Sequence, residues 1–339
     1  HNTRLAIPLY LLKLAQNPEI ALLEISLNAL NSRDRGPQSL LVEPTIAILT
    51  SVDFAHVRGV QDLQVIAQIK SRIFAGLVSG GTAIINGDIE STLLESILFE
   101  AGKTTGQLLT YSMSGKSDAN LYLVQRKTLK ELTEVTVAYR GIRYTYQLSL
   151  ASDGMIENSM AAFLTLCSLG LDPQRYMERL QTFKSLPKVM EKHSGRLAGK
   201  QVTIIDDTHN AAIPSMINGI RAFAQQTVYY SGRKILVLGQ VADLGEHTEK
   251  LHEELVPIID TSGADLLLAY GSAMEAVVAK TRIPADWFSD MDSYVTRVLE
   301  EVTDHSLLLL KGSVSGSDYH KISERLLKRL VTEPVVARV

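Results

Sequence analysis

Thr45-Ile46-Ala47-Ile48-Leu49-Thr50, then residues 62–77, then Thr82-Ala83-Ile84-Ile85-Asn86 form the stretch on which the fold turns. The two short runs are apolar and rich in β-branched residues, and Pro44 and Gly80-Gly81 lead into them. Runs of that kind predict strands buried on both faces. Between them, Leu63, Ile66, Ala67, Ile69, Ile73 and Phe74 recur at helical spacing. Strand, helix and strand in that order predict a parallel sheet with a right-handed crossover.

Upstream, Ile20-Ala21-Leu22-Leu23-Glu24-Ile25 reads as one more short strand. Downstream, residues 119–150 change character. Leu121-Tyr122-Leu123-Val124, Val135-Thr136-Val137-Ala138-Tyr139 and Tyr144-Thr145-Tyr146-Gln147-Leu148 are strand-like, with a turn at Arg140-Gly141, which predicts an antiparallel insertion or edge meander. A helix over 157–169 follows, stopped by Gly170. A second block opens near Leu186-Pro187. Strands are predicted at 201–206, 234–239, 264–271 and 306–312, with helices such as 248–259 and 291–302 between them. The fold class is therefore α/β: a central parallel-sheet domain of ATPase type with a β-rich insertion, over 1–184, then a Rossmann-like doubly wound domain over 185–339.

Composition narrows the function classes. Of 339 residues, 45% are hydrophobic and 21% charged, enough apolar material for a core in each domain. A net charge of −3 gives no broad basic surface for nucleic acid. No apolar run reaches the roughly 18–20 residues that span a bilayer. The lone Cys167 lies in an apolar run and reads as a buried helix residue, in keeping with a cytoplasmic protein. No signal peptide is visible, and the chain starts at His1, so an earlier N-terminal part is expected.

Polar residues gather where the strands end. Glu24 follows the first run, Thr50, Asp53 and His56 the second, and Asn86 and Asp88 the third; Asp206, Asp207 and Lys311-Gly312-Ser313 do so in the second block. In a parallel sheet these all face one edge, where ligands bind. A carboxylate and a histidine there suit a divalent cation beside a phosphate. Taken singly, each has a plainer use: Asp and Asn as helix caps or turn formers, Lys70 as a solvated charge, Gly239 and Gly312 as turn residues. These features predict a nucleotide-compatible α/β protein.

Order and spacing say more. Asn2-Thr3-Arg4-Leu5-Ala6-Ile7-Pro8 leads, then Leu23-Glu24-Ile25-Ser26 with Ala29-Leu30. Leu49-Thr50-Ser51-Val52-Asp53-Phe54-Ala55-His56 resembles the pattern T-N-x-x-x-x-H, and Ala67-Gln68-Ile69-Lys70-Ser71-Arg72-Ile73-Phe74 follows. Gly195-Arg196 precedes Ile205-Asp206-Asp207-Thr208-His209-Asn210-Ala211 and Ser215-Met216. Val237-Leu238-Gly239-Gln240-Val241-Ala242-Asp243-Leu244-Gly245-Glu246-His247 and Leu309-Leu310-Lys311-Gly312-Ser313 complete the series. Together, over nearly the whole chain and least at 105–150, these segments resemble the Mur ligases of peptidoglycan synthesis. In the second domain they are most similar to the members that add D-alanyl-D-alanine.

The resemblance implies an ATP-dependent ligase that joins a carboxylate to an amine through an acyl phosphate, in cell-wall peptide synthesis. It implies ATP and magnesium as cofactors. Glu24, His56 and Lys70 would be the catalytic, metal-centred set, with Lys70 a ligand once carbamylated, since a hard cation prefers oxygen. Thr50, Asn86, Asp88, Asn158, Arg196, Asp206, Asp207 and His209 would serve the nucleotide, Arg196 at the phosphates and Asp207 at the ribose. Ser26, Asn210, Asp243, Gly245, Glu246, Lys311, Gly312 and Ser313 would serve the substrates. The implied partners are small molecules, a carboxylate-bearing acceptor and an amino acid or peptide amine, with no nucleic acid. The oligomeric state is not legible. Two alternatives stay open: a relative acting on another peptide or a capsule poly-amino acid, and a Mur-like binding module without catalysis.

Some positions depart from the family pattern. No G-x-x-G-K-S/T string occurs; Ser114-Gly115-Lys116-Ser117 is the nearest and reads as a polar loop. Ser51 stands where Asn is expected, and Gly154-Met155 where His-Asn would precede Asn158. The chain is therefore expected to be N-terminally truncated, to hold ATP weakly without ligase turnover, and to leave Lys70 unmodified and paired with Glu24.

Overall fold

The computed structural model of the chain describes residues 3–14, 18–31, 36–53, 62–149, 152–183 and 186–332. Its first unit runs α1 (Ala6–Lys13), α2 (Leu27–Leu30), α3 (Ser39–Val42), β1 (Ile46–Leu49), α4 (Leu63–Ser71), β2 (Thr82–Asn86), α5 (Ser91–Gly102), β3 (Gln107–Ser112), β4 (Leu121–Thr128), β5 (Leu132–Tyr139), β6 (Ile142–Ser149), α6 (Asp153–Ser168) and α7 (Pro173–Met177). The strands form one sheet in the order β1-β2-β3-β4-β5-β6. Its first four strands are parallel, and β4, β5 and β6 form an antiparallel meander.

The predicted strand–helix–strand unit is β1-α4-β2. Asp62 caps α4, its carboxylate accepting from Gln64 N at 2.8 Å. β2 is buried along its whole length, as a strand covered on both faces should be. Ile84 packs on one face with Tyr111, Val137 and Phe163; Ala83 and Ile85 pack on the other with Ile66, Phe74 and Ile97. The meander is no separate insertion, because β3 pairs in parallel with β4 and hands the sheet on to it. Arg140 and Gly141 both have positive φ, 50° and 79°, which closes the β5–β6 turn tightly.

The expected strand at 20–25 does not form. Among the described residues 18–26 there is no regular structure, and Leu22 is 89% exposed, so the run finds no sheet to bury against. The expected helix at 157–169 starts earlier. Ser152 caps it by accepting from Met155 N, which brings Asp153 to Ile156 into its first turn.

The second unit runs β7 (Glu191–Leu197), β8 (Lys200–Asp207), α8 (Ile213–Gln226), β9 (Lys234–Gly239), α9 (Thr248–Glu253), α10 (Val256–Asp260), β10 (Leu266–Tyr270), α11 (Glu275–Lys280), β11 (Ala285–Phe288), α12 (Met291–Glu301), β12 (Ser306–Lys311) and α13 (Lys321–Leu327). The sheet order is β11-β10-β9-β12-β8-β7, all parallel except β7. The four leucines of β12 show why it lies at the centre. Leu307 and Leu309 face one core layer, with Ile205, Leu236, Leu238 and Phe223; Leu308 and Leu310 face the other, with Ile204, Val237, Tyr294 and Tyr319. A period of two with apolar residues on both faces is the pattern of a covered strand.

Candidate functional site

Two groups of polar side chains lie at the carboxyl ends of the strands. In the first unit Asn86 closes β2. Its Nδ2 donates to Thr50 O at 2.9 Å, and its Oδ1 accepts from Asp88 N at 2.9 Å. It therefore ties the end of β1 to the loop after β2. Asp88 is held by Ser112 Oγ at 2.8 Å, Met113 N at 2.6 Å, Ser114 N at 2.9 Å and Ser114 Oγ at 2.5 Å. Burial alone would raise its pKa, but these hydrogen bonds outweigh it and hold the carboxyl below its ordinary value. Lys116 donates to Gly87 O at 2.9 Å and lies 3.6 Å from Asp88. Ser114-Gly115-Lys116 is thus a loop wrapped around one carboxylate.

Lys70, at the C-terminal end of α4, donates to Ser51 O at 2.7 Å. Burial lowers its pKa, and Asp53 opposes that; burial likewise raises Asp53, and Lys70 opposes it. The expected Lys70–Glu24 pair is thus replaced by the loop after β1, because α4 packs its lysine beneath residues 51–53. Glu24 is exposed, and Ser26 caps α2 with its Oγ 3.4 Å from Ala29 N. His56 lies outside the described residues. Among the described residues, no three acidic, histidine or cysteine side chains come together as a metal ligand set.

The sequence reading passed over Glu157. The carboxyl sits on the second turn of α6, half-buried, and its pKa is pushed up to about 7. Burial is the main cause, followed by the neighbouring charges of Asp88 and Asp153; the hydrogen bond with the Asn86 amide opposes the rise, and the charge of Asp53 adds a smaller push upward. Tyr111, at the end of β3, is fully buried, its hydroxyl has no hydrogen-bond partner among the described residues, and Glu157 and Asp88 both act on it electrostatically. An isolated glutamate on an amphipathic pattern gives no signal of this kind. The packing of α6 against β2, which Asn86 closes, brings Glu157 to Asn86.

The second group surrounds a cavity of about 370 Å³ between the two units. Asn158, Gly154 and Met155 of α6 form one wall; Asp207, His209, Asn210, Lys311 and the loop around Ala242 form the other. Helical geometry turns successive residues by about 100°, so Glu157 faces Asn86 while Asn158 faces this cavity. Lys311 and Asp207 are both buried and pair at 2.6 Å. The second Asp207 oxygen accepts from Met190 N at 3.2 Å. Gly219 of α8 makes room for the pair, since a Cβ there would lie 2.8 Å from Lys311 Cδ.

Asp206 is spent on structure. It accepts from Thr208 N at 3.1 Å, Thr208 Oγ1 at 2.7 Å and the Ser323 hydroxyl. Ser313 is a stitch: its N donates to Gln240 O at 3.0 Å, its Oγ accepts from Ala242 N at 3.0 Å and donates to Ala211 O at 3.3 Å. Behind this loop His252 is fully buried. Its Nε2 accepts from Val241 N at 2.9 Å and Nδ1 contacts Thr248 O at 2.6 Å, an arrangement that suits a neutral ring. Burial lowers its pKa accordingly, against the Thr248 contact. Asp243 and Gly245 both have positive φ, 62° and 60°, and shape the loop; Glu246 follows in its last turn. Gly312 does not serve a turn: a Cβ on it or on Gly239 would strike the Tyr319 ring at 2.6 and 2.4 Å.

Arg196 lies elsewhere. It is exposed on β7 opposite Gln201, at the amino end of β8. Six residues of strand, about 20 Å, separate that register from Asp207. The structure thus brings Asn158, Asp207, His209, Asn210 and Lys311 together, sets Thr50, Lys70, Asn86 and Asp88 around a second centre, and leaves Arg196 remote from both.

Comparison with known proteins follows the same division. The Mur ligase middle domain matches residues 1–166, and the domain described as Mur ligase, glutamate ligase domain matches 190–314. The chain is 26% identical to the UDP-N-acetylmuramoyl-tripeptide–D-alanyl-D-alanine ligase of Bacillus subtilis, covering 98% of this chain and 69% of that protein. Against the Escherichia coli ligase of the same name the identity is 24%, over 93% and 67%. Among solved structures, MurF from Acinetobacter baumannii superposes with a TM-score of 0.73 at 19% identity, over 86% of this chain and 61% of that one. MurF ligase from Thermotoga maritima in complex with ADP gives 0.70 at 20% identity, over 85% and 62%. The chain thus spans about two thirds of these relatives' length or a little less, and at such identities the superpositions speak for the fold. The family is carried by the two domain matches, which fall in the expected order on the two sheets: the chain belongs to the Mur ligase family.

Proposed function

We propose that this chain carries the nucleotide- and amine-binding parts of an ATP-dependent carboxylate–amine ligase of the MurF kind. The observation that supports this reading most is the cavity between the units, where Asn158 meets Asp207, His209, Asn210 and Lys311. Its volume lies in the range of small-molecule sites. The relatives are named for joining D-alanyl-D-alanine to a UDP-N-acetylmuramoyl tripeptide, and the Thermotoga structure holds ADP. We carry both ligands over to this chain as its expected partners.

ATP, when bound, supplies the phosphoryl group that converts a carboxylate into an acyl phosphate open to attack by the amine. The chain's own residues bind and orient. Asp207 offers carboxylate oxygens as acceptors for sugar hydroxyls, and Lys311 offsets its charge at 2.6 Å. The exposed Asn158, His209 and Asn210 offer donors and acceptors at the cavity wall. Ser313 and His252 hold the Gln240–Ala242 backbone in place, so that the wall is preorganised. We assign no step to magnesium, because the described residues form no ligand set for it.

The residues that line the cavity are binding groups. The test therefore reads binding. Calorimetric titration with ADP, then with D-alanyl-D-alanine, should give saturable heats, and Asn210→Ala should weaken the dipeptide about tenfold. Absence of both heats would remove the reading. Binding of a different peptide amine in place of the dipeptide would redirect it to another product.

A further inference from the structure

Asn218, Arg221 and Gln225 recur at helical spacing on one face of α8, and that face lies along the first unit. Near its start, a Cβ added to Gly154 of α6 would meet the Asn218 amide nitrogen at 3.7 Å, an ordinary contact. One turn on, Arg221 lies 3.9 Å from Asp153 of α6. One turn further, Gln225 receives hydrogen bonds from Arg126 and Thr128. Those two stand two residues apart on β4, so both side chains leave the same face of the strand. At the hairpin tip that follows, Thr128 O and Leu129 O accept from the Tyr229 hydroxyl and from Gln226 Nε2, both at 3.0 Å.

Arg126 is the centre of this seam. Its Nε donates to Thr128 Oγ1 at 3.3 Å, one terminal nitrogen to Asp153 Oδ1 and the other to Gln225 Oε1. Thr128 Oγ1 donates in turn to Gln225 Oε1 at 3.1 Å, which closes the ring. A planar fork with fixed donor directions suits acceptors on β4, α6 and α8 at once; an ammonium on a flexible stem does not. The Arg126 and Asp153 side chains are only 17% and 13% exposed, so solvent screens this pair much less than a surface pair. Asp153 also lies in the first turn of α6, where a carboxylate suits the helix dipole.

The two helices that Arg126 joins are walls of the cavity around Asp207. α6 gives it Gly154, Met155 and Asn158, and α8 gives it Ser215, Asn218 and Gly219, while Arg126 and Gln225 are not part of that lining. We propose that Arg126 is a positioning residue for the nucleotide: by clamping the first turn of α6 to α8 across the junction of the units, it sets the spacing of the two walls. The use of that spacing for binding rests on the nucleotide reading of the cavity. A spacing fixed before the ligand arrives spares the ordering of the two walls on binding.

The test pairs calorimetric titration with ADP and ligand-free hydrogen exchange, both on the full chain. Gln225→Met keeps the length of the side chain and removes the acceptor that joins the units; Gln225→Glu restores an acceptor for the same fork. Gln225→Met should speed exchange about tenfold in the first turn of α6 and along α8, the factor of one hydrogen bond to a charged group, and leave β10 and β11 as they were. It should weaken ADP about fivefold. Gln225→Glu should return both readings to within about twofold of the wild type. Wild-type ADP affinity in Gln225→Met overturns the proposal. So does exchange that is unchanged or that rises equally throughout the chain, and so does Gln225→Glu as impaired as Gln225→Met. If the wild type gives no saturable ADP heat, the nucleotide reading falls, and the exchange pattern alone then supports or overturns the clamp.

Discussion

Glu157 shows how far a single side chain departs from its ordinary chemistry here. The carboxyl is raised to about 7 by burial and by the charges of Asp88 and Asp153. The folded state therefore holds its proton more tightly than the unfolded chain, whose glutamate titrates near 4.5. The stability it confers is fully present below about 4.5 and is lost as pH rises through about 7. Glu157→Gln, which mimics the protonated form, should leave stability unchanged at pH 4.5. At pH 8 it should raise it by about 1 kcal/mol, a figure discounted for partial exposure. Urea unfolding at the two pH values checks this; an equal effect at both would show that Glu157 does not titrate as described. Lys70, Asn86, Asp207 and Lys311 could be singled out from the sequence because each ends a strand or stands in a spaced motif. Glu157 and Tyr111 could not, since their importance comes from burial beside Asp88, which no local pattern encodes.

At the scale of elements, β9 and β12 are joined through an aromatic ring. Tyr319 packs on Gly239 and Gly312 and donates to Val237 O at 2.5 Å. The two glycines that end strands in the motifs are there for close approach, at ordinary φ, and not for turn geometry. Gly312→Ala should displace the ring and lower stability by about 1–3 kcal/mol, while Gly170→Ala tests a different cause. Gly170 has φ of 70° and open space around it, so its cost is conformational and about 1 kcal/mol. Chemical denaturation of both variants distinguishes packing from backbone strain; equal small losses would contradict the close-approach account.

The central strands were legible because burial on both faces leaves an unbroken apolar run, as in Leu307 to Leu310. The edge strands β7 and β11 were not, because one side lacks a partner and the sequences Glu191–Leu197 and Ala285–Phe288 carry no such run. β3 was hidden for a related reason: Gln107 and Thr110 interrupt its apolar residues, although it pairs along its length with β2. The run at 20–25 misled in the opposite direction. It has strand composition, but among the described residues β1 is the sheet edge and no strand pairs beyond it.

In the whole molecule two α/β units meet at the cavity proposed to hold the nucleotide, with α6 as the shared wall. Hydrogen exchange followed by mass spectrometry, with and without ADP and magnesium at millimolar concentration, tests this most directly. Ligand in the cavity should slow exchange in segments from both units together: the first turns of α6, from Asp153 to Asn158, and the loop from Asp207 to Ala212. The β7–β8 turn around Arg196 should be unchanged, since it lies at the far edge of the second sheet. Protection confined to one unit, or centred on Arg196 with none at Asp207, would contradict the shared cavity.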